Sequence, residues 1–293
     1  MLESTRCATA RTTRGQCSRC SSAGFISRLA TRCRSEGGRE FRILNREIQE
    51  SRMSVCRHCP LSKLDVQLVA VSRLEALLNA LQKFYGALPP PPRDPFTLFV
   101  WEVLSVHSTP RKRDAALAAL KRIPALTPDA MWRAPQKKLE QSLQLAGPYL
   151  ENRLQALRTG VELFRRSPDL PKIIRGPLPA ARRALKPFPQ LGETGAHRML
   201  LFAAGQVILP VDARVNRVAR RLGYGEAAGD FKKQARSVQE ALVGELTASA
   251  DAYRRAFLYL SHHGAATCTE SDPHCTICPL LKECPEGQKR LQI

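Results

Sequence analysis

The sequence predicts an all-α protein, and three observations predict it. Apolar residues recur at spacings of three and four through most of residues 72–266. Aromatics make up only 6% of the chain, so a core drawn from its 43% hydrophobic residues must be mostly Leu, Ala and Val, as in helical proteins. Runs that alternate apolar and polar residues, the mark of a half-buried strand, are almost absent. The 293 residues suffice for one or two domains. No stretch approaches the ~20 consecutive apolar residues that span a membrane.

Residues 1–60 differ from the rest. They hold twelve Arg, no Lys and five acids, a net charge of +7, with abundant Ser and Cys and no sustained apolar period. A disordered tail is expected there. Two further readings apply: an Arg-rich organellar transit segment over residues 1–34, or an over-extended start with Met53 as the true initiator. No secretory h-region is present, so the expected compartment is the cytoplasm or nucleoid. The pairs Cys17–Cys20 and Cys56–Cys59 have zinc-knuckle spacing, separated by a long structureless gap.

The helical part begins with SRLEALLNALQKFYGAL, where Leu74, Leu77, Leu78, Leu81 and Phe84 share one face. ALPPPPRDP breaks it, because Pro cannot continue a helix. FTLFVWEVLSVHS reads as a buried helix, and PRKRDAALAALKRI as a helix opened by Pro with one apolar side. YLENRLQALRTGVELFRR (149–166) and AHRMLLFAAGQ (196–206) are two more. RVNRVARRLGYG ends on a Gly stop. FKKQARSVQEALVGEL and AYRRAFLYLSHHG lead into the last cysteines.

Charge points to the partner. Lys and Arg number 46 against 26 acids, giving +20 overall and +13 for residues 61–293. A surplus that large, present without the tail, suggests a polyanion such as nucleic acid.

Three motifs carry chemistry. LKPFPQLGETGAHRMLLFAAG describes a helix, a Gly-containing turn and a second helix. Such a turn is either a packing corner or a site where backbone N–H groups and a helix N-terminus hold a phosphate. LPVDARVNRVARRLG places Asp212 ahead of a basic helix, as an N-cap or as a reactive carboxylate. CTESDPHCTICPLLKEC sets Cys268, Cys275, Cys278 and Cys284 in a C-x6-C-x2-C-x5-C spacing, which in a reducing compartment reads as metal binding rather than disulfides. Glu102, in FVWEVLSVHS, is an acid on an otherwise buried helix, where an unpaired charge is costly.

The order of these motifs resembles the endonuclease III superfamily of DNA glycosylases, over roughly residues 70–285. The resemblance implies a two-domain helix–hairpin–helix fold with a terminal iron–sulfur loop. One domain would be 72–90 plus 207–293, the other a helical barrel over 94–206. It implies a 4Fe–4S cluster on Cys268, Cys275, Cys278 and Cys284, with four-thiolate zinc as the rival. It implies double-stranded DNA bearing a damaged or mismatched base as partner, engaged by a monomer through Gln190, Leu191, Gly192, Thr194 and Gly195, with His107 near the relatives' polar wedge position. It implies Asp212 and Glu102 as the catalytic carboxylates, Glu102 matching the acid that adenine-excising relatives use.

Departures qualify the activity. Thr194 stands where bifunctional members have a catalytic Lys, so base hydrolysis without strand cleavage is expected. Gln190 stands at the hairpin's first Gly, and TESDPH is acidic where the family tends to be basic. The chain ends nine residues after Cys284, without the extension of relatives that excise adenine opposite oxidised guanine, so that specificity is not expected. The alternatives are a bifunctional glycosylase/abasic-site lyase using another Lys, and a non-catalytic iron–sulfur DNA-binding module.

Overall fold

The computed structural model describes residues 32–34, 40–42 and 72–293, apart from 124, 227 and 228. Residues 1–68 and 69–293 form separate units. In the first, β1 (Arg32–Arg34) and β2 (Glu40–Arg42) pair antiparallel, with Cys33 opposite Phe41. Most of the expected tail, Met53 and the cysteine pairs Cys17–Cys20 and Cys56–Cys59 lie outside the described residues.

In the second unit every described element is helical, as the sequence predicts. α1 (Arg73–Tyr85) starts where Ser72 accepts a hydrogen bond from the Glu75 N–H, and buries Leu74, Leu77, Leu78 and Leu81. Phe84, expected on the same face, is 48% exposed and stacks edge-on with Tyr85. α2 (Pro95–Ser105), α3 (Pro110–Arg122) and α4 (Pro128–Arg133) share one opening, a side-chain cap followed by Pro. Asp94, Thr109 and Thr127 are the caps; Pro fits the first turn because its missing N–H would have no helical partner.

α5 (Gln136–Gln144) and α6 (Leu150–Arg166) follow, then the short α7 (Leu170–Ile173) and α8 (Leu178–Leu185). α2 packs on α3, α6 and α9 (Gly192–Phe202), so it lies at the centre of this group. Phe96, Phe99, Phe164 and Phe188 interlock there edge to face. Gly160 on α6 permits that contact, since a Cβ would overlap the Phe99 ring.

α10 (Ala213–Arg221), α11 (Phe231–Val243), α12 (Ala250–Ala266) and α13 (Pro285–Leu291) complete the chain, with two 3₁₀ turns at Cys275–Ile277 and Leu281–Glu283. α12 packs on α1, α9 and α10, bringing the first helix against the last long one. Arg255 of α12 fixes this by reaching Glu75, Asn79 and Gln82 of α1. Gly264 lets α10 and α12 approach closely; a Cβ there would lie 2.8 Å from the Arg214 Cβ. The helix expected over 196–206 instead begins at Gly192 and ends at Phe202. The sequence reading did not anticipate the short helices α4, α5, α7 and α13, whose few turns are too short to show a period.

Candidate active site, hairpin and cysteine loop

α8, the turn at 186–191 and α9 form the expected helix–hairpin–helix. Its turn needs two left-handed residues, Gln190 (φ 61°) and Gly192 (φ 53°). Gly adopts this freely, while Gln does so at a cost in strain. Gln190 compensates by donating from Nε2 to the Asn152 carbonyl, 3.1 Å away on α6. Leu191 is buried against the core. A Cβ on Gly195 would meet Leu191 at 3.3 Å and the Glu102 Oε2 at 3.5 Å, so the start of α9 lies directly against Glu102.

Glu102 is 3% exposed, and its partner is Arg198 of α9, a residue the sequence reading passed over. Arg198 donates from Nε to Oε1 at 2.6 Å and from Nη2 to Oε2 at 2.5 Å. Its Nη1 stands 3.7 Å from the Asp212 Oδ2. One guanidinium therefore lies between both carboxylates. Burial works against its charge, but Glu102 and Asp212 more than offset that and hold it firmly protonated. The signal in the sequence was an Arg inside the apolar run AHRMLLF, which demands a buried acid.

Asp212 caps α10: its Oδ1 accepts from the Val215 N–H at 2.8 Å, and its Oδ2 accepts from the Ser261 hydroxyl at 3.2 Å. It is thus both a cap and part of a charged cluster. Thr194 donates to the Val211 carbonyl at 3.2 Å, which ties the hairpin to the lead-in of Asp212. His107, with φ 48°, packs its ring on Tyr149, which is 56% exposed and has φ 70°. Arg153 holds the backbone behind this pair. It is 1% exposed and donates to the carbonyls of Val106, Ala146, Gly147 and Pro148.

At the other end, Cys268, Cys275, Cys278 and Cys284 line one cavity and form no disulfide. Among the described residues, no three His, Cys, Asp or Glu side chains converge to hold a single metal ion. Burial and the neighbouring thiols push Cys278 up to about 11, and burial raises Cys284 as well. Thiols crowded in this way ionise only against added positive charge. Some is already supplied: Arg221 Nη1 donates to the Cys268 Sγ at 3.2 Å, and the Gly287 N–H to the Cys284 Sγ at 3.3 Å. His263, hydrogen-bonded to Tyr85, lies 3.7 Å from the Cys278 Sγ.

Two of the four arginines of α10 reach toward this loop. Arg217 donates to the carbonyls of Gly264 and Cys268, and Arg221 to those of Thr269 and Glu270. The acidic TESDPH segment thus complements the basic helix beside it, and Glu270 stands 3.9 Å from Arg217.

An all-helical unit with a hairpin, an aspartate-capped basic helix and a four-cysteine terminal loop defines the helix–hairpin–helix class. Comparison with known proteins agrees. The chain is 27% identical to endonuclease III of Bacillus subtilis (strain 168) over 198 residues, covering 63% of this chain and 85% of that protein. It is also 27% identical to endonuclease III of Treponema pallidum (strain Nichols) over 192 residues, 66% of this chain and 84% of that one. A trapped endonuclease III–DNA covalent intermediate superimposes with a TM-score of 0.60 at 22% identity, covering 74% of this chain and 97% of the other. A thermostable thymine-DNA glycosylase gives 0.55 at 17% identity, covering 74% and 97%. No protein-family profile matches. The chain is thus similar in sequence to endonuclease III proteins and shares the fold of the helix–hairpin–helix DNA glycosylases.

Proposed function

We propose that this protein is a base-excision DNA glycosylase that hydrolyses the bond between a damaged or mismatched base and its sugar. Asp212 carries the reading. Its carboxylate is fixed by Val215 and Ser261 and remains 21% exposed, a suitable place to stabilise a sugar that becomes positively charged. The target nucleotide is flipped out of the duplex to reach it. The hairpin at Gln190–Gly195 and the net +13 of residues 61–293 serve the phosphates, and His107 with Tyr149 meets the duplex beside the extruded base.

Monofunctional hydrolysis is favoured because Thr194 carries no amine, and its hydroxyl is bonded to Val211. In this reading Glu102 is no proton donor, since both its oxygens accept from Arg198. In the same reading the helices divide into two lobes, 72–90 with 207–293 and 94–206, which assigns Asp212 to the first and Glu102 with Arg198 to the second.

The cysteine loop fits a 4Fe–4S cluster held by Cys268, Cys275, Cys278 and Cys284. Four thiols line one cavity, and their C-x6-C-x2-C-x5-C spacing has one C-x2-C pair where zinc ribbons use two. The cluster's place is structural, joining the ends of α10, α12 and α13.

The deciding experiment incubates the protein with duplex oligonucleotides carrying different lesions, with and without alkali. Strand breaks that appear only after alkali support the reading; no base release from any duplex refutes it.

A further inference from the structure

We propose that Arg198 is a further catalytic residue, a fixed cation that receives the leaving base as an anion. It would thereby select pyrimidines of the uracil type, whose glycosidic nitrogen adjoins a carbonyl, over bases that depart only after protonation. The inference rests on the glycosylase reading above and deepens it.

Three observations carry it. First, the cluster is graded in exposure: Glu102 is 3% exposed, the Arg198 side chain 16% and the Asp212 side chain 21%, so it is closed at the glutamate and open at the aspartate. Second, Glu102 occupies Nε and Nη2, whereas Nη1 makes no hydrogen bond among the described residues. That leaves donors on the nitrogen nearest Asp212. Third, the orientation is set in advance. A bidentate carboxylate holds the guanidinium plane, and the Phe257 ring lies 5.8 Å from its Cζ, shielding the charge from water.

Position then gives the role. If Asp212 faces the sugar C1′, the leaving nitrogen is about 1.5 Å beyond C1′. A donor 3.7 Å from the Asp212 Oδ2 is therefore beside the base atoms adjoining the breaking bond. In a uracil-type base that neighbour is a carbonyl oxygen, an acceptor that gains charge as the bond breaks.

The step balances as follows. The C1′–N bond breaks with its electron pair moving onto the base, and the charge spreads to the carbonyl oxygen paired with Arg198. The sugar oxocarbenium faces Asp212. Water adds to C1′ and yields a proton to the Asp212 carboxylate, which returns it through solvent to the departed base. The Nη1 donor suits a leaving group that gains charge on an adjoining carbonyl oxygen, an acceptor that a cationic alkylated purine does not present beside its glycosidic nitrogen.

The test compares single-turnover release of uracil and of 5-fluorouracil, a better leaving group, from matched duplexes. The variant is Arg198→Gln with Glu102→Gln, which replaces the ion pair by two amides and leaves no buried charge alone. We expect about a 10²-fold loss for uracil and a loss several-fold smaller for 5-fluorouracil, which needs less help. Arg198→Lys, which keeps the charge, should retain most of the uracil activity, and Arg198→Met with Glu102→Gln stands in for the double variant if that fails to melt cooperatively. Equal losses for both bases would mean a merely structural arginine and would overturn the proposal. So would an unmodified protein that releases purines but neither pyrimidine, an outcome that leaves the glycosylase reading intact.

Discussion

Arg198 stands between Glu102 and Asp212, donating two hydrogen bonds to the first and lying 3.7 Å from the second. Three residues separated by up to 110 positions in sequence thus form one electrostatic unit. Removing Arg198 alone would leave two neighbouring carboxylates without their shared cation, so the variants that test this site must keep its shape.

Asp212→Asn keeps the shape. Asn caps helices about as well as Asp, so α10 should start unchanged and the protein should remain folded. The carboxylate charge is lost, and such electrostatic stabilisation is commonly worth ~10²–10³ in rate. Base release should fall by at least that factor while affinity for undamaged duplex, measured by fluorescence anisotropy, changes little.

Borohydride should trap no protein–DNA adduct on a true substrate, because Thr194 has no amine to form an imine. Strands should stay intact until alkali is added. Thr194→Lys places an amine at the hairpin beside the Asp212 lead-in and should yield a trapped adduct on gels. An adduct in the unmodified protein would redirect attention to a different Lys.

The protein purified without oxygen should be brown and hold about four irons per chain, as Cys₄ ligation of a cubane implies. Cys278→Ser should lower the iron content and the melting temperature together, since the thiols lie where α10, α12 and α13 meet. Stoichiometric zinc with no iron would refute the cluster.

Arg153→Gln should destabilise the fold by about 2 kcal/mol or more, because charged hydrogen bonds to four carbonyls are lost. The same variant should weaken damaged-duplex binding, since the carbonyls belong to the turns that carry His107 and Tyr149. Chemical denaturation and anisotropy read the two effects separately.

His197 supplies a pH signature. Burial, followed by the Arg182 charge, lowers its pKa from 6.5 to about 4, with Arg182 donating to Nε2 at 3.2 Å. The unfolded chain takes up this proton near 6.5 and the folded chain only near 4, so stability is lost as pH falls through that window. The melting temperature should drop between pH 7 and 4, and His197→Gln should drop less across the same range.

The sequence by itself determined the helical class, the order of the principal helices, the hairpin and the cysteine loop. All of these are local: a period of three and four, a Pro after a cap, a Gly at a left-handed turn, four thiols within seventeen residues. Even Asp212 was legible, because a cap shows itself within four residues. What the tertiary structure decided is pairing. It took Glu102, which read as a lone acid on an apolar helix, and gave it Arg198 from 96 residues away. It turned Arg217 and Arg221 of α10 toward carbonyls of the cysteine loop more than 45 residues away. It exposed Phe84 while burying the four leucines before it. The physical reason is common to all three. A buried charge or an apolar face states only that it needs a partner, and long-range packing chooses which one.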